Sequence, residues 1–393
     1  MKMRISNSPR GFSLLELMIA ATLGLIVIVA MTGLFRQAIN TTFTLTQRAE
    51  VQQNLRAAIE LMTKDISMAG AGLPAGGLQL PSPASGGTPT LVACNQAGTC
   101  YVPGGAYPGG NQMYGILPGF GNGVQGAAVI PSAPAAVNDS ITSIYCDYNF
   151  PLTNFTFTFP SETEATVALV AGPNAALPEN ILAPGGLNVG DLLFFLVTTP
   201  GLGVASGNQG TSAAQTAAVV AEITGIPNNA QINFATNDAL NFNQGPAVLN
   251  SLANMINNLG PALGGGNTVT VCRLNAVTYF LQVPPAGGGT VQTPRLMRQV
   301  NGLNAVPVAD NIINLQFSYD VISSVGGLIN ANLSNPIAAG DSPALIQKIN
   351  IWVMGQSVLS SGNRFQSMYL ASSVSAGNMS FCNSYSSQNT ACQ

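Results

Sequence analysis

The chain of 393 residues contains no histidine. That removes the commonest general base and the commonest metal ligand, so a Ser-His-Asp triad is excluded. Charge is almost as scarce. Only 7% of residues are charged, against roughly 25% in an ordinary soluble domain. With a formal net charge of −3 there is no electrostatic case for nucleic acid as a partner. Neither a C-x-x-C pair nor a G-K-[ST] phosphate loop occurs, and no proline stands between residues 10 and 73. These absences favour a structural or binding protein over an enzyme, with no cofactor or metal expected.

What charge there is sits unevenly. Lys2, Arg4 and Arg10 precede any acid, and Arg36, Arg48, Glu50, Arg56, Glu60, Lys64 and Asp65 cluster in residues 36–69. From Phe12 to Phe35 the only charged residue is Glu16. As a helix, that stretch is about 36 Å long, enough to cross a hydrocarbon core of about 30 Å. The basic flank places the N-terminus on the cytoplasmic side and sends the bulk of the chain outward. The apolar run is too long for an ordinary secretory signal. A plain anchor does not explain Glu16, since a charged residue deep in a membrane helix costs roughly 2.5–3.5 kcal/mol and marks function by default.

Past the membrane length, Val51, Leu55, Ala58, Ile59, Met62, Ile66 and Ala69 recur every three or four residues, the stripe of an amphipathic helix. Glu60 and Lys64 form an i, i+4 pair in the favourable order. Gly70, Gly72 and Pro74 end the helix. One rod therefore has an apolar half, 12–35, and an amphipathic half, 36–70.

The basic leader, Gly11, Phe12, the apolar run and Glu16 together resemble the N-terminal signature of type IV pilins and type II secretion pseudopilins. The resemblance implies cleavage of leader 1–11 after Gly11 by a prepilin peptidase, with N-methylation of Phe12 by the same peptidase/methyltransferase. Glu16 would then pair with the freed amine of a neighbouring subunit, because two charges that are costly alone in an apolar medium attract strongly there. Many major pilins carry a proline within this helix. Here only Gly24 and Gly33 offer soft points, each costing about 1 kcal/mol relative to alanine.

Residues 71–135, as in "GAGLPAGGLQLPSPASGG", show no period and read as a long Gly/Pro-rich surface excursion before a β-rich exported head, 136–393. Strand-like runs lie at 140–146, 154–159, 166–170, 192–198, 217–224, 268–283, 314–321 and 344–357, with one short helix at 250–260. Alternation in "NFTFTF" sets Phe155, Phe157 and Phe159 on one core-facing side. The expected class is thus α+β: a long N-terminal helix packed on a mainly antiparallel head with long Gly/Pro/Asn-rich loops.

Within that head, "GDLLFFLV", "RLNAVTYFLQV", a "PRLMRQVNG" turn, "VADNIINLQFSYDV" and "IQKINIWVMGQS" resemble PilW-type minor pilins, as does "KDISMAG" closing the helix. The resemblance implies a minor pilin that joins other minor pilins and the major pilin in a priming or tip complex. Such a protein sits first in inner-membrane lipid with its head in the periplasm, then in an extracellular pilus. A type II secretion minor pseudopilin and a pilus-mounted adhesin stay open as alternatives. Six cysteines in an exported chain suggest disulfides. Cys94 with Cys100 would close a small loop, and Cys382 with Cys392 a C-terminal loop like those of many pilins, leaving Cys146 with Cys272.

Other candidates carry little chemistry. Gly121, Gly123 and Gly126 fit G-x-G-x-x-G without the strand–helix setting of a dinucleotide site. Glu162 and Glu164 read as a solvated turn. Arg295 and Arg298 read as the charged ends of a hairpin, and Asp310, Asp320 and Asp341 lack calcium-loop spacing.

Overall fold

The computed structural model describes residues 12–74, 77–81, 112–121, 124–126, 138–169, 180–199, 215–236, 238–259, 268–283, 294–322, 328–334, 336, 343–357 and 365–379. Helix α1 runs unbroken from Leu14 to Ser67, straight through Gly24 and Gly33, where an added methyl would meet open space. Its first half is exposed apolar surface, including Leu14, Leu17, Leu25, Ile28 and Phe35. Burial begins at Gln47, and the seven stripe residues from Val51 to Ala69 all enter the main core.

The helix leaves through two glycines in the left-handed region, Gly70 (φ +81°) and Gly72 (φ +74°). The Gly70 N–H donates to the Ile144 carbonyl and the Cys146 N–H to the Ala71 carbonyl, both at 2.8 Å. This exit therefore docks directly on a strand of the head. A β-carbon at Gly72 would lie 2.7 Å from the Cys146 Cβ, so both the dihedral and the space require glycine.

The head is organised around the 16-residue strand Thr268–Val283, the centre of an eight-stranded sheet. One of its edges pairs first with Leu192–Thr199 and then with Arg295–Val300; the other pairs with Ser140–Asp147 and, in parallel, with Val124–Gly126. A second, four-stranded antiparallel sheet comprises Ile329–Leu333, Ile312–Ile322, Ile346–Gln356 and Ser367–Ser375. Its inner face, with Leu315, Phe317, Ile349, Ile351 and Val353, packs in the same core as the lower half of α1. A third sheet, Phe155–Ser161 with Glu164–Leu169, Gln231–Asn233 and Gly225–Asn228, has its own core. There Phe157, Phe159 and Phe234 meet Phe195 edge-on at 5.5–5.9 Å. Helix α2, Leu252–Leu259, falls in the run expected to be helical.

Two expectations change. Residues 71–135 are not wholly a surface excursion: Leu78, Leu80, Met113, Ile116 and Leu117 are buried, and Ile116–Gly119 pairs with Ser140–Asp147. Short apolar pairs set among Gly and Pro carry no period, which is why the sequence hides them. The "PRLMRQVNG" stretch is not a turn either. Arg295–Val300 is a strand, and the reversal falls at Asn301–Gly302, both with positive φ (+49° and +68°), as tight hairpins prefer.

Candidate assembly site and the helix–head latch

The N-terminal end of α1 is a capping box. Ser13 is the N-cap; its hydroxyl accepts from the Leu15 N–H at 3.3 Å, and its own N–H donates to Glu16 Oε2 at 3.2 Å. The carboxylate is therefore folded back toward residues 12 and 13 rather than pointing out sideways along the helix. A backbone N–H at a helix N-terminus is also where a negative charge is best placed. Phe12, the first described residue, is 87% exposed. Gly11 lies outside the described residues, as do Cys94, Cys100, Cys382 and Cys392.

Forty-nine residues further along, Asp65 is nearly sealed, at 2% exposure. Its carboxylate accepts from Arg298 Nε at 2.8 Å, from the Tyr279 hydroxyl, and from the Tyr145 hydroxyl at 3.3 Å. Helix, central strand, strand Ser140–Asp147 and strand Arg295–Val300 thus converge on one acid. Burial and then the Asp65 charge push the Tyr145 hydroxyl up to about 12, and the same causes raise Tyr279 further. For Arg298, burial pulls downward, but the hydrogen bond and charge of Asp65 outweigh it and raise the net value. Both tyrosines therefore stay neutral and the arginine stays charged at any physiological pH.

Arg298 accordingly is not the charged end of a hairpin. Its neighbour Arg295 is: it pairs with Asp310 at 2.8 Å on the exposed side. Asp320 sits 3.5 Å from Lys348, and Asp341 lies outside the described residues. Glu162 occupies the turn before strand Glu164–Leu169. In the sequence Asp65 is only one member of the charge cluster of residues 36–69. The signal was one acid at the inward end of an otherwise apolar stripe, four residues past Leu61 and one before Ile66.

The structure joins Cys146 to Cys272 in a disulfide across adjacent strands, with Cα atoms 5.7 Å apart. It lies directly behind the Gly72 exit of the helix. Another ion pair, Arg273 with Asp147, stands one residue further along, and Arg273 also donates to the carbonyls of Gly185 and Gly186 at 3.0 and 3.1 Å.

The family model of the prokaryotic N-terminal methylation motif matches residues 6–32. No curated protein and no solved structure matches the chain. The motif supports a protein of the type IV pilin or pseudopilin type, processed by a prepilin peptidase and associating with other pilins. In agreement, α1 is long and apolar enough to cross a membrane, which is consistent with membrane anchoring.

Proposed function

We propose that the chain is a minor pilin with a PilW-type head, cut between Gly11 and Phe12, methylated at Phe12, and inserted into a type IV pilus within a priming or tip complex. The observation that carries this reading is the division of one helix. Its membrane-length half presents apolar side chains to no partner among the described residues, while its second half is welded to the head. A rod exposed in that way is suited first to lipid and then to the apolar centre of a filament built from similar rods.

Within that reading, Glu16 has two tasks that separate chemically. One oxygen caps the helix in cis, and the other stays available for the terminal amine of an adjacent subunit. Burial of such a pair is favourable only when both members are present, so it selects one axial register. Glu16→Gln keeps an acceptor for the Ser13 N–H but removes the charge. The expected result is a chain inserted and processed like the parent, with incorporation into filaments strongly reduced. Normal incorporation of Glu16→Gln refutes the pairing. The motif is shared by pili and type II secretion filaments, and recovery of the chain in sheared surface pili assigns it to the former.

A further inference from the structure

The outer face of the C-terminal sheet, turned away from α1, carries the only tryptophan in the chain. Trp352 is 52% exposed, although tryptophan is highly buried on average. The strand register explains its setting. Gln316, Trp352 and Ala371 form one cross-strand row, and Ser318, Asn350 and Ser373 form the next row on the same face. Small or flat neighbours on both sides leave the indole standing clear. Tyr369 meets it edge-on, 6.0 Å away at 82°, so the two rings do not stack on each other.

These rows floor a trough of about 680 Å³ that Phe120, Asp139 and Ser334 also line. Among the described residues Asp139 is the one ionisable group in the lining, and both its oxygens are engaged by backbone N–H groups, of Gly121 at 3.0 Å and Phe317 at 3.1 Å. Among the described residues no lysine or arginine lines the trough to hold an anion, and each Asp139 oxygen already accepts a backbone N–H. What the surface does offer is a large aromatic platform beside the amide of Gln316 and the hydroxyls of Ser318 and Ser373, each able both to donate and to accept, while the Asn350 amide already donates to Ser318, Asp320 and Asn332. A protein hot spot would surround its tryptophan with apolar contact; here Ala371 and Tyr369 share the face with Gln316, Ser318, Asn350 and Ser373.

From that chemistry we propose that the face binds a neutral saccharide, a β-linked pyranose stacking its C–H face on Trp352 while its hydroxyls meet Gln316, Ser318 and Ser373. The polarised C–H bonds of an all-equatorial ring suit the negative face of an indole. A trough of this volume falls in the ordinary range for small-ligand sites and accommodates one or two sugar units. The inference needs only an exported head and stands whether or not the chain enters a filament.

The test uses the full chain in a detergent without a sugar headgroup. Because Trp352 is the sole tryptophan, its emission reports the site directly during titration with chitobiose, cellobiose and lactose. The expected result is a saturable change with at least one of them. Gln316→Ala should weaken that binding about five- to tenfold, the loss of one hydrogen bond. Trp352→Ala should abolish it by calorimetry without altering the melting temperature. The labelled chain on a broad glycan array then closes the question. No glycan bound above the Trp352→Ala background overturns the proposal, as does binding that survives Trp352→Ala. A change in Trp352 emission seen only on mixing with other filament subunits overturns it too, and makes the face a subunit interface.

Discussion

Replacing Asp65 with alanine removes the acceptor on which Arg298, Tyr279 and Tyr145 converge. Breaking one side of a buried ion pair costs roughly 3–5 kcal/mol, because the other charge is left without compensation. The Arg298 side chain keeps 24% exposure and regains some water, which places the cost near the lower end, about 3 kcal/mol. For a head of this size, that lowers the melting temperature by roughly 6–10 °C. Adding Arg298→Met to Asp65→Ala should recover roughly a third to two thirds of the loss, since no stranded charge remains. The two tyrosine hydroxyls still lack their acceptor, so recovery stops about 1–2 kcal/mol short. Thermal melts of the parent, the two single variants and the double variant give the coupling energy directly. If Asp65→Ala melts with the parent, or if the double variant is no better than the single, the latch does not hold the helix to the head as described.

Three further outcomes follow from the same contacts. Gly72→Ala combines a left-handed φ with a β-carbon set against Cys146 and the Tyr148 hydroxyl, and should cost about 2–4 kcal/mol in denaturant melts, whereas Gly24→Ala, with open space around it, should be neutral or slightly stabilising. Glu222 is raised from 4.5 to about 7, first by burial and also by the neighbouring charge of Asp238. The folded state keeps this proton where the unfolded state releases it, so stability is full below pH 4.5, falls as pH rises toward 7 and is level above. The loss is on the order of 2 kcal/mol after solvent screening, and Glu222→Gln should abolish it; a parent and a variant with the same pH dependence between 5 and 8 would contradict this. Loss of the Cys146–Cys272 bridge through paired serines should cost about 2–4 kcal/mol, measured against the parent under oxidising conditions.

Much of the fold could be read from residue order because the deciding forces are local and periodic. The stripe from Val51 to Ala69 names its own buried face, and alternation in residues 155–159 does the same for a strand. The strand Ser367–Ser375 escaped notice because "SMYLASSVS" is half polar: it is the edge of the sheet and keeps one face in water. Residues 112–119 escaped because their partners lie outside any local window and their apolar positions are two at a time. At the site, Glu16 was conspicuous by isolation in an apolar run. Asp65 was not, since its significance depends on Tyr145, Tyr279 and Arg298, which lie 80 to 233 positions away. Side chains that meet only through tertiary structure leave no spacing to recognise.

The central claim is that Phe12 becomes a free, methylated terminus beside the Glu16 carboxylate. Intact-mass measurement and N-terminal peptide sequencing of the chain purified from native membranes and from filaments test it directly. The account predicts a mature chain beginning at Phe12 and carrying one added methyl group. Material that still begins at Met1, with no shortened form in either fraction, would contradict it.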